Sequence, residues 1–231
     1  MRPQLVVYLE PFYKSKFYKS LEKYLLASLS YYGLHEGAMF PPHCDMTAVI
    51  AKGNEQSAKD VGHLLDVAVK KFAPYNRPIV KKPAPVDLTS ARDGFLGIPL
   101  ALTSSNCGVK TNRYEYCVKE FRYEMDKQLK MEVCPTNLEH TYIPLAYTND
   151  HFLTKDRKLS MKELVGMHDL ALEIVDFKDS ETCAWFITLH QLRPSIYPNH
   201  PHMFDPPVKT WEICPEILPT KKWNMDWPIT W

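Results

Sequence analysis

The sequence predicts an α+β fold: two similar halves, each running strand, helix, histidine-bearing strand, helix, with antiparallel sheets around a central cleft and an extended C-terminal arm. Three observations predict it. Short apolar runs alternate with amphipathic stretches at helical spacing from residue 1 to residue 192. The order repeats: the first helix of each half begins near positions 14 and 112, and the histidine strands carry His43 and His140, so the offsets are 98 and 97 residues. The remainder, 193–231, breaks the pattern, with eight of the 19 prolines, four of the five tryptophans and no glycine. Residues 1–192 thus read as one two-lobed domain, with lobes at about 1–86 and 87–192. The segment 193–231 reads as a Pro/Trp-rich arm packed on it, since that much aromatic surface is costly to leave in water.

The elements follow in order. Leu5–Leu9 is an apolar run closed by Pro11 and reads as a buried strand. From about Lys14 to Tyr32, the residues Phe17, Leu21, Tyr24, Leu25, Ser28 and Tyr32 share one helical face, and Gly33 is the expected C-cap. After Pro41-Pro42 comes a strand in which His43, Asp45 and Thr47 alternate with Cys44, Met46 and Ala48. A second helix starts at Asn54 and carries Val61, Leu64, Leu65, Ala68 and Phe72. The proline-rich, basic stretch 73–86 reads as a connection with little regular structure. The second half restarts with a strand over Phe95–Leu102 and a helix over Asn112–Met131. A strand over His140–Tyr147 follows, then a helix opened by the Ser160–Glu163 capping box, and a last strand over Cys183–Leu192.

Composition narrows the function. Of 231 residues, only 8 are glycine, and neither G-x-G-x-x-G nor G-x-x-x-x-G-K-[ST] is present, so glycine-lined nucleotide loops are excluded. A net charge of +1 argues against long nucleic acids and anionic membranes as partners. Six cysteines without a C-x-x-C pair, no basic-then-apolar leader at Met1–Glu10 and no apolar run of membrane-spanning length point to reduced thiols in a cytoplasmic protein. Asn199-His200-Pro201-His202 lacks the spacing of a metal site, and no metal or cofactor is implied.

The two histidine strands, Pro42-His43-Cys44-Asp45-Met46 and Glu139-His140-Thr141-Tyr142-Ile143, resemble the paired motifs of the 2H phosphoesterase family. Val7-Tyr8-Leu9 near the start and Leu145-Ala146-Tyr147 after the second motif are also similar to it, and the element order extends the resemblance over roughly 4–192. The family motif is His-x-Thr/Ser followed by an apolar residue. The resemblance implies a metal-independent phosphodiesterase on a small cyclic or 2′-5′ linked nucleotide, with His43 and His140 as acid and base. Asp45 and Tyr142 stand where the family has hydroxyls that donate to phosphate. Tyr142 can donate through its phenol, whereas an ionised Asp45 only accepts. Thr47 shares the face of His43 and is the candidate replacement, and Tyr8, Tyr142 and Tyr147 are the tyrosines a substrate groove can use.

Chemically, neutral imidazole takes a proton while imidazolium gives one, and histidine performs both near neutrality. Asp45 also fits a different role, orienting His43 as a base. That reading makes the chain a small-molecule isomerase or lyase using His43, Asp45 and Tyr142. A third reading is a non-catalytic interaction protein whose Trp-rich tail binds the partner. Thr188 and His190 share a strand face, as a third site element or as a satisfied polar pair at a strand end.

Overall fold

A computed structural model describes residues 4–46, 58–72, 78–85, 96–102, 119, 121–127, 142–147, 159–192 and 206–217. The chain is α+β, and the described residues form two antiparallel sheets and four helices. Its elements are β1 (Gln4–Pro11), α1 (Lys16–Tyr32), β2 (Cys44–Asp45), α2 (Ala58–Phe72), β3 (Pro78–Val80), β4 (Ala84–Pro85), β5 (Leu96–Leu102), α3 (121–127), β6 (Tyr142–Ala146), α4 (Met161–Ile174), β7 (Trp185–Leu192) and β8 (Lys209–Cys214). Short 3-10 turns occupy Glu36–Met39 and Asp179–Glu181. Among the described residues, no helix is long and apolar enough to cross a membrane.

The first sheet has the order β2-β1-β7-β8. β1 and β7 pair along their full length, from Gln4↔Leu192 to Pro11↔Trp185. The final strand of the second sequence half therefore joins the sheet begun by the first strand of the chain. β8, drawn from the C-terminal segment, pairs with β7 as an edge strand. Side chains alternate as a strand requires. Leu5, Val7 and Leu9 of β1 and Trp185, Ile187 and Leu189 of β7 enter the main core with Cys44 and Met46. Val6, Tyr8, Glu10, Thr188 and His190 lie on the opposite face, where Val6 and Tyr8 form a separate buried cluster.

The helices cover the core face. Ser15 caps α1 by accepting from the Tyr18 N–H at 3.1 Å, which sets the start one residue after the cap rather than at Lys14. Gly33 ends α1 with φ 75°, and its N–H returns to the Leu29 carbonyl; only glycine takes this backbone without strain. The Ser160–Glu163 capping box opens α4 as expected. α1 and α4 are tied by Asp176 N–H donating to Ser20 Oγ at 2.8 Å and, just beyond α4, by Phe17 N–H donating to Asp179 at 2.9 Å. α2 buries Val61, Leu65, Ala68 and Val69 and holds β8 through Asp66. The expected cap Asn54 lies outside the described residues.

The second sheet is centred on β5, which pairs with β3, β4 and β6. Two of these strands correct the reading of 73–86 as irregular. Pro78 begins β3, a place where the missing N–H costs no ladder bond, and Lys81 N–H continues the pairing onto the Pro99 carbonyl at 3.0 Å. Of the prolines that suggested a loop, the described ones, Pro78, Pro83 and Pro85, sit at strand starts and margins. Pro99 is accommodated within β5 opposite Tyr142.

Candidate functional site

The described geometry converges on the non-core face of the first sheet, around Tyr8. The register sets Tyr8 opposite Asp45 on one side and Thr188 on the other, with Val6 opposite His190. Three adjacent strands thus place His43 and Asp45, then Tyr8 and Glu10, then Thr188 and His190 on one surface. The Tyr8 ring centroid is 4.1 Å from that of His43 and 5.4 Å from that of His190. All three rings are buried, Tyr8 at 4% exposure, His43 at 5% and His190 at 6%.

His43 owes its position to the Pro41-Pro42 pair and to strand parity. Its neighbours Cys44 and Met46 fill the core, and Met46 N–H donates to the Val7 carbonyl at 2.9 Å. His43 therefore points the other way. Its Nδ1 is 2.6 Å from the Pro41 carbonyl, which can only accept, so Nδ1 carries a proton. Its Nε2 is 3.4 Å from Asp45 Oδ1. Both ring nitrogens face acceptors, which is the environment of an imidazolium. Burial alone pushes the His43 proton affinity down. Asp45 at Nε2, the Pro41 carbonyl at Nδ1 and the Glu10 carboxylate farther off outweigh that, and the net shift is upward from 6.5. Phe40 closes one side, its ring edge-on to His43 at 6.1 Å.

Tyr8 is held as a neutral phenol. Burial raises its ionisation well above the usual 10, assisted by Asp45, Tyr147 and Glu10. Tyr147, half-buried after β6, thereby belongs to the surroundings of Tyr8. Tyr142 opens β6 opposite Pro99, about 16 Å of extended chain from Tyr147. The two tyrosines singled out at this strand therefore lie at opposite ends of it. His140 and Thr47 lie outside the described residues.

On the far side of Tyr8, the Thr188 hydroxyl donates to Glu10 at 2.7 Å. His190 Nε2 is 3.1 Å from Thr188 Oγ1 and 3.3 Å from Glu10 Oε1. The single Thr188 proton is given to Glu10, so the His190 contact requires an N–H at Nε2. Thr188 and His190 are partnered through Glu10, on the face that holds His43.

Two contributors were not singled out from sequence. Glu10 shares strand parity with Tyr8, and the Tyr8-x-Glu10 spacing was the available signal. Arg122 of α3 donates through Nε to the Met46 carbonyl at 2.8 Å, securing the end of β2. Nothing local in the sequence marks that contact. Among the described residues, no three His, Cys, Asp or Glu side chains form a group that could hold a metal ion.

Chemically, the arrangement offers a buried proton donor at His43, a carboxylate that stabilises its charged form, and a neutral phenol beside it. Comparison of the chain with protein-family models, curated proteins and solved structures finds no match in any of the three, so the functional reading stands on this geometry and on the sequence.

Proposed function

We propose that this chain is a metal-independent phosphodiesterase-like hydrolase that opens a small cyclic or 2′-5′ linked nucleotide, with His43 as the proton donor to the leaving oxygen. The observation that carries the reading is the His43 imidazole itself, buried just ahead of β2 with an acceptor at each nitrogen. In the proposed step, a water oxygen attacks phosphorus and the bond from phosphorus to the ribose oxygen breaks. The departing oxygen takes the Nε2 proton of His43, and a base removes the proton of the attacking water. By the repeat spacing, His140 is that base, and the two halves are duplicated lobes around the cleft where the substrate lies.

Asp45 is less of an obstacle to this chemistry than its charge suggests. Paired with imidazolium at 3.4 Å, it contributes to a neutral couple, so a phosphate meets a dipole rather than a lone anion. The same contact favours a second reading. A His–carboxylate couple also serves as a base toward a neutral or cationic substrate, which is isomerase or lyase chemistry.

Hydrolysis of 2′,3′-cyclic nucleotides and of 2′-5′ linked oligonucleotides tests the proposal, with His43→Ala and His140→Ala as controls. We expect turnover by the wild type and a loss of about 10²–10⁴-fold in each variant. Absence of turnover on both substrates by folded protein overturns it, and so does full activity in His43→Ala.

A further inference from the structure

His43 is not alone on its sheet face, and the second imidazole has no assigned part in the step above. His190 lies two strands away, about 10 Å by strand spacing, with Tyr8 between them. Its Nε2–H is committed to Thr188 Oγ1 and Glu10 Oε1, and its side chain is 8% exposed. That Nε2–H is placed to hold a carboxylate still.

Glu10 is the carboxylate it holds. Thr188 donates to one oxygen at 2.7 Å, and His190 stands 3.3 Å from the other. Donors at both oxygens remove the rotational freedom an exposed glutamate has. Glu10 is 15% exposed, so its charge is only partly screened. The groups around His43 are then Asp45 on β2, Tyr8 and Glu10 on β1, the Pro41 carbonyl and the Phe40 ring, with Tyr147 beyond Tyr8. Asp45 and Glu10 are the two anions among these that favour His43 protonation.

We propose that His190 is a positioning residue of this site: with Thr188 it clamps Glu10 as the fixed anion behind Tyr8, against which the His43 imidazolium is held. The proposal rests on the reading of His43 as proton donor. It adds that the donor is prepared from two sides, by Asp45 in direct contact and by Glu10 through the β1–β7 pair.

The test is a histidine NMR titration of the full chain, with the His43 signal assigned by its loss in His43→Ala. Glu10→Gln removes the charge, His190→Leu removes the clamp, and His190→Gln keeps an amide donor near the position of Nε2 without a titrating ring. We expect the His43 midpoint to move to lower pH in Glu10→Gln and His190→Leu, and to stay at the wild-type position in His190→Gln. The pH limb on which nucleotide hydrolysis falls off at high pH moves the same way. An unmoved His43 midpoint in Glu10→Gln overturns the proposal. So does a shift in His190→Gln as large as that in His190→Leu. If His190→Leu does not fold, the other two variants decide. The titration needs no substrate: failure of hydrolysis with the expected midpoints counts against the phosphodiesterase reading alone, and hydrolysis with an unmoved midpoint counts against the clamp alone.

Discussion

Replacing Asp45 by asparagine keeps the shape beside His43 and removes one charge. At an effective dielectric constant of about 20, unit charges separated by the 3.4 Å found here attract by roughly 5 kcal/mol. Desolvation of the buried imidazolium and the 24% exposure of the Asp45 side chain reduce this to about 2 kcal/mol net, within the range for hydrogen bonds to charged groups. The sign with pH follows from the direction of the His43 shift. Its proton affinity is higher in the folded chain than in the unfolded one. The contribution is therefore complete below the ordinary imidazole value of about 6.5, and it is lost as pH rises through the higher folded value. Asp45→Asn should then lower stability by about 2 kcal/mol near pH 6, or about 4–8 °C in Tm for a chain of this size, and by far less at a pH above the raised folded His43 value. Urea unfolding of both proteins at the two pH values measures it. An equal loss at both would refute the reasoning, because it would mean that Asp45 supports His43 by shape or hydrogen bonding to a neutral ring.

Two further outcomes test how the sheets are held. Asp66→Ala removes an acceptor that takes the Trp211 indole N–H at 2.7 Å and an ion pair with Lys209 at 2.7 Å; we expect a loss of about 2 kcal/mol in denaturant unfolding at neutral pH. Lys209 and then Trp211 hold the Asp66 carboxyl below its usual value, so this loss should shrink as pH falls through that lowered value. Gly37→Ala puts a Cβ 2.6 Å from the Leu145 carbonyl oxygen, backbone that cannot swing aside. A cost of about 1–3 kcal/mol in thermal unfolding is expected, and wild-type stability would show that the 3-10 turn is not pressed against β6.

The elements of the first sheet and their helices were legible because local signals and burial agree there. The Leu5–Leu9 run, the Phe17–Leu21–Tyr24–Leu25–Ser28 stripe, Gly33 and the Ser160–Glu163 box each appear in the role their chemistry predicts. The strands in 73–86 were not legible, because Pro78 and Pro85 mark a loop and a strand margin equally well until a partner strand is known. At the site, the alternation of His43 and Asp45 against Cys44 and Met46 was readable from parity alone. The partnership of Glu10 with Thr188 and His190 was not, since residues 178 and 180 positions apart meet only through the β1–β7 register.

That register explains why the site and the core stand or fall together. Tyr8 opposite Thr188 and Val6 opposite His190 put the polar row on one face, while Ile187 and Leu189 enter the core on the other. A slip of one residue would exchange the faces, burying Thr188 and His190 against Val7 and Leu9 and exposing Ile187 and Leu189. The apolar half of β7 therefore selects the geometry of its polar half. The Glu10 charge reaches His43 from a fixed place because Trp185, Ile187 and Leu189, all fully buried, allow β7 only one alignment on β1. The electrostatics of the candidate proton donor are in this sense set by hydrophobic packing on the opposite side of the sheet.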